Sequence, residues 1–180
     1  PTSNIQKNEM TKTKGFTLIE IIIYLAVLGL ISVLVVNVVL TMTKSFGRFR
    51  VAKNINASAE VALERMTREI KLANDIDISK SVFNSYPGRL ALKTVDPLTG
   101  TASAIEFFLA TTTLMLKKGE SAPESLISSK TEATNLVFRE IIVSSASKAI
   151  KIELELQSGE GDLEKSEKFY DTVILRGSYR

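Results

Sequence analysis

The chain has 180 residues, 24% of them charged, a formal net charge of +3, and neither cysteine nor histidine. That length suits one folded domain plus an accessory segment, and the charge excess is too small to mark a nucleic-acid binder. Lacking cysteine and histidine, the chain has no disulfide, no thiol nucleophile, and neither the commonest general base nor the commonest transition-metal ligand. The domain must therefore hold together by packing.

The first element in chain order is an apolar run over residues 16–40, with Glu20 as its only charge and Asn37 as the other clear polar intruder. As a helix it would measure about 37 Å, enough to cross a hydrocarbon core of about 30 Å. A cleaved secretory signal fits poorly, because such signals have shorter apolar regions and end in a small-residue cut site. This run closes instead with Val38-Val39-Leu40-Thr41-Met42-Thr43. Lys7, Lys12 and Lys14 precede it, which favours a cytoplasmic N-terminus. Lys44, Arg48, Arg50 and Lys53 follow it and argue the other way, but long domains are translocated largely regardless of charge. The expected arrangement is a single pass with the N-terminus inside.

Glu20 needs a reason. A carboxylate in hydrocarbon must be neutralised, be paired or reach water. Lying about 6 Å along a helix from Phe16, it could simply reach the interface. Its surroundings suggest more. The stretch "KGFTLIE", residues 14–20, resembles the prepilin leader junction of type IV pilins and type II secretion pseudopilins, down to the basic leader before it and the long apolar helix after it. In that family a membrane aspartyl peptidase cuts after the glycine and the new N-terminus is methylated. The resemblance implies a cut between Gly15 and Phe16, N-methylation of Phe16, and Lys12 and Lys14 as the basic leader. Glycine suits the position, because an extended backbone without a side chain is open to a protease. The resemblance also implies a partner for Glu20, the N-terminal ammonium of Phe16 in a neighbouring subunit. Such a pair would set subunit register, since an unpaired charge in lipid is costly. Met10 would give a short basic leader, and residues 1–9 are either a longer leader or an over-extended start.

Past the membrane the helical pattern continues. Ile55, Ala59, Ala62, Leu63, Met66, Ile70, Ala73 and Ile76 fall at steps of three and four, the stripe of a helix packed on a sheet. Glu64 with Arg68 and Arg65 with Glu69 are opposite-charge pairs expected on its wetter side. No proline intervenes, so one helix is expected from about Phe16 to about Asp77, bent or frayed near Gly47 if anywhere. Phe46-Gly47-Arg48-Phe49-Arg50 interleaves aromatics with arginines. Stacking plus positive charge would suit single-stranded DNA, but an interfacial anchoring belt is the stronger reading, and no nucleic-acid partner is assigned.

From Ser81 onward the sequence alternates between strands and turns. Turns are expected at Tyr86-Pro87-Gly88 and at residues 96–100, and a polar loop at 121–129. Strands are expected at 89–95, 104–110, 113–117, 135–143, 150–156 and 169–176. Ile150, Ile152, Leu154 and Leu156 face a core, and Lys151, Glu153 and Glu155 face water. Glu153, Glu155 and Asp162 lack the dense acidic spacing of a hard-cation loop and read as a solvated face. No nucleophile–base set, phosphate loop, metal site or cofactor is assigned, and the chain reads as non-enzymatic.

The expected fold is α+β, a long N-terminal transmembrane-plus-amphipathic helix packed on a mainly antiparallel sheet. Residues 1–15 would be the leader and 16–45 the transmembrane part. Residues 46–180 would be an extracytoplasmic pilin-like domain that includes the outer helix to about residue 78. "RMTREIKLANDI", "TNLVFR" and "FYDTVILRG" look more diffusely like the J-type minor pseudopilins. The resemblance implies a filament subunit in the cytoplasmic membrane, with other pilin or pseudopilin subunits, prepilin peptidase and an inner-membrane assembly platform as partners. Two alternatives stay open. One is a DNA-uptake or adhesive minor pilin, and the other is an ordinary single-pass anchored domain. Absence of a proline in the apolar helix and of a C-terminal cysteine pair sets the chain apart from many major pilins.

Overall fold

The computed structural model describes residues 15–95, 100–144 and 147–175. One helix, α1, runs over Leu18–Leu72, and eight strands follow: β1 Asp75–Ile76, β2 Leu90–Val95, β3 Ala102–Ala110, β4 Thr113–Lys118, β5 Glu124–Ser125, β6 Thr131–Ser144, β7 Ser147–Ser158 and β8 Lys165–Ile174. The chain divides into two compact units at Lys44/Ser45, so that α1 contributes to both. The fold is α+β, with every strand pair antiparallel.

Over residues 18–44 no side chain of α1 is buried, although most are apolar. A surface of that kind is stable only against lipid or other helices. From Ser45 the helix becomes one-sided. Val51, Ile55, Ala59, Ala62, Met66 and Ile70 are buried at steps of three and four. They share one core with Leu90 and Leu92 of β2, Ile105 and Phe107 of β3, Leu114 and Leu116 of β4, Leu136 and Phe138 of β6, and the Ile150–Leu156 alternation of β7. Ser58 and Glu69 are the buried polar residues of α1, and Ser58 donates to Thr131 Oγ1 at 3.2 Å.

The helix ends at Leu72, five residues before the expected Asp77. Asn74 N–H donates to the Lys93 carbonyl at 2.9 Å, which draws the chain into β1 beside β2. Ala73 and Ile76 are buried as expected, but from beyond the helix. Helix and strand patterns coincide over so short a segment, and the sheet edge decides between them. Nor does α1 break at Gly47. A Cβ there would lie 2.9 Å from Leu163 Cδ1, so this glycine admits a close contact with the turn after β7.

The strands form two sheets rather than one, in the orders β1-β2-β3-β4-β5 and β6-β7-β8. Alternation identifies which face of a strand is buried but not its neighbour, so the sequence could not separate them. The sheets meet where Ala133 N–H donates to the Thr112 carbonyl at 2.7 Å. The other side of β6 is covered by the loop before β2, through Asn84 N–H to the Phe138 carbonyl and Gly88 N–H to the Leu136 carbonyl. A side chain at Gly88 would sit 2.8 Å from that carbonyl oxygen, so the close approach demands glycine. The expected loop at 121–129 holds β5, and its Leu126 and Ile127 are buried. Strands β6 and β8 start four residues earlier than expected. Residues 96–99 of the expected turn, and Arg176, lie outside the described residues.

Glu69 corrects a further expectation. It is buried rather than on the wet side of α1, 3.3 Å from Arg65 Nε and 2.6 Å from Lys118 Nζ. Glu64 and Arg68 do form an exposed pair at 3.2 Å. On the outer face of β7, Glu153 accepts hydrogen bonds from Arg139 at 2.9 and 3.3 Å and lies 2.9 Å from Lys151 Nζ. These cations, the Arg139 hydrogen bonds first, pull the Glu153 carboxyl from 4.5 down to about 2. A lowered folded-state value means stability that is present above pH 4.5 and lost as the pH falls through about 2. In thermal melts across that range, wild type should exceed Glu153→Gln at neutral pH and converge with it near pH 2. A gap that persists unchanged into acid would assign Glu153 a packing role instead.

Candidate processing and docking site

The functional candidates cluster at the start of α1. Gly15, Phe16 and Thr17 precede the helix and are exposed. A Cβ on Gly15 would meet nothing within 4 Å. Local packing therefore does not require glycine there, unlike Gly47 or Gly88. Lys12 and Lys14 lie outside the described residues.

Thr17 sets the helix start. Its carbonyl accepts from the N–H groups of Glu20 at 3.1 Å and Ile21 at 3.2 Å, and its Oγ1 lies 3.4 Å from Glu20 N. Thr17-Leu18-Ile19-Glu20 thus has the spacing of a capping box, with a carboxylate in the first turn where the helix dipole favours it. The Glu20 side chain turns the other way. Tyr24 Oη donates to Glu20 Oε1 at 2.9 Å, and the Phe16 ring meets the Tyr24 ring edge-on with centroids 6.3 Å apart. From Gly15 through Phe46, Glu20 alone is half-buried, and the others are exposed. Sequence reading missed Tyr24, although the signal was available: it lies four residues after Glu20, on the same helix face.

Hydroxyls in and just after the apolar run are satisfied within the helix. Ser32 donates to the Leu28 carbonyl, Thr41 to that of Asn37 and Thr43 to that of Val39, at 2.8 to 2.9 Å. Back-bonding of this kind removes their cost in lipid. At the far end Phe46 and Phe49 are 63% and 73% exposed. Arg65, Arg68, Arg89 and Arg139 all form ion pairs, whereas Arg48 and Arg50 form none among the described residues. Exposed aromatics beside uncommitted cations, just past an apolar span, fit an interfacial belt. No group of three or more potential metal ligands occurs among the described residues.

Comparison with known families agrees with this geometry. No curated protein and no solved structure matches the chain. Residues 10–36 match the family model described as the prokaryotic N-terminal methylation motif. Helix α1, which starts within that match, is long and apolar enough to cross a membrane, and its most apolar stretch is not buried. The chain thus carries a prepilin-type N-terminal motif on an apolar helix, which supports a membrane-anchored, pilin-type subunit processed by prepilin peptidase.

Proposed function

We propose that the chain is a minor structural subunit of a type IV pilus-like or type II secretion pseudopilus filament. It is cut between Gly15 and Phe16, methylated on Phe16, and docked through Glu20 on the Phe16 ammonium of a neighbouring subunit. Lys12 and Lys14 hold the leader on the cytoplasmic side of the inner membrane, and residues 46–180 form the extracytoplasmic domain. The observation that carries the reading is the match over residues 10–36 around Glu20, the single charge in the apolar run.

A J-type minor pseudopilin is the nearest subtype. Its three diffuse sequence likenesses, at 65–76, 134–139 and 169–177, fall on the end of α1 with β1, on β6 and, for residues 169–174, on β8. They are tied together by Thr67 donating to Asp171 at 2.7 Å and by Leu136 and Phe169 flanking Leu154 across the sheet. Sister pilin-like subunits and the inner-membrane assembly platform are the partners.

Gly15→Leu tests the processing step. Gly15 meets nothing in the fold, so the variant should insert and fold normally. It should accumulate at precursor mass in cells that process the wild type. Normal cutting of Gly15→Leu would detach the prepilin reading from this glycine.

A further inference from the structure

Glu20 carries two oxygens, and α1 commits one of them. Oε1 accepts from Tyr24 Oη at 2.9 Å. Oε2 has no partner among the described residues, and the edge-on Phe16 ring closes over Tyr24 from the N-terminal side. Hydrogen bonds to a charged acceptor are the strong class, and a donor inside the same helix spares a carboxylate the cost of standing alone in lipid. Four residues separate the two side chains, which places them one turn apart on one face. The phenol reaches the carboxylate without distortion, and its ring supplies apolar surface to the hydrocarbon. Glu20 is also the one half-buried residue from Gly15 through Phe46.

We propose that Tyr24 is a positioning residue for assembly. Its hydroxyl holds Oε1 of Glu20 in the unassembled subunit, sheltering the carboxylate in lipid and leaving Oε2 directed to the incoming ammonium. The inference rests on the docking role of Glu20 proposed above, and it adds a residue outside the "KGFTLIE" junction. It also makes the carboxylate's geometry intrinsic to each subunit before any neighbour arrives.

The test uses the full chain in its membrane. Tyr24→Phe keeps the ring against Phe16 and removes only the hydroxyl. Insertion and processed mass should match wild type. Incorporation into filaments, read by crosslinking to sister subunits, should fall about tenfold, the loss expected from one charge-assisted hydrogen bond. Glu20→Asp keeps the charge but shortens the reach to Tyr24, so adding Tyr24→Phe to it should cause little further loss. A spectroscopic reading separates positioning from packing. With ring-labelled tyrosine at position 24 alone, the Cζ resonance in micelles should move on Glu20→Leu, because its hydrogen-bond acceptor is gone. If Tyr24→Phe is incorporated at wild-type levels, or its loss is fully additive with Glu20→Asp, or the resonance ignores Glu20→Leu, the proposal falls. Failure of the docking reading has a different mark, wild-type incorporation of Glu20→Leu itself.

Discussion

Replacing Glu20 with leucine should stop assembly while leaving the subunit inserted and cut. The apolar run becomes longer and cleaner, so insertion is as good or better. The proposed scissile bond at Gly15–Phe16 is unchanged, and a Cβ on Gly15 would meet nothing within 4 Å. What disappears is the carboxylate proposed to meet a neighbour's ammonium. Removing one partner of a desolvated ion pair costs about 3–5 kcal/mol, so incorporation should drop about 100-fold or more. Glu20→Gln keeps the shape and loses the charge, and should be nearly as damaging. The measurement has three parts: membrane fraction, processed mass, and crosslinking to sister subunits. Insertion, cutting and wild-type incorporation together would reduce Glu20 to an interfacial residue that reaches water by itself.

The second large effect is expected in the globular unit. We propose that residues 45–180 fold without the membrane helix, because the α1 stripe from Val51 to Ile70 and both sheets close one core. A chain beginning at Ser45 should melt cooperatively, as domains of this size usually do. Phe138 is fully buried in β6, opposite Ile152 and under the loop that carries Gly88. Phe138→Ala removes a ring from the seam between that loop and β6 and should cost about 3–5 kcal/mol. In a domain of this size that corresponds to roughly 10–20 °C in melting temperature. A shift of only a degree or two would mean that the loop collapses into the space. A chain from Ser45 with no cooperative transition would mean that the membrane helix or a partner completes the core.

Periodicity made much of this architecture legible in the sequence. The buried stripe of α1 from Ile55 to Ile70 and the Ile150–Leu156 alternation read correctly, because each follows from the period of its own element. What periodicity does not encode is pairing. The division into two sheets, the brief β1 that ends α1 early and the burial of Glu69 under Lys118 are all fixed by residues distant in sequence. Charge pattern alone placed Glu69 on the wet face, because its spacing from Arg65 is the same in either setting. At the N-terminus the motif around Gly15 and Glu20 stood out in the sequence, since it is local and contiguous. Tyr24 did not stand out, since an aromatic residue in an apolar run reads as lipid-facing until its hydroxyl is seen to have a partner.

The central claim is that residues 1–15 are a leader removed by a prepilin peptidase. The direct measurement is the intact mass and N-terminal sequence of the chain extracted from membranes of cells containing that peptidase. The account predicts a chain that begins at Phe16 and carries one added methyl group on its amine. A stable, assembled chain still bearing Lys12 and Lys14 would contradict it.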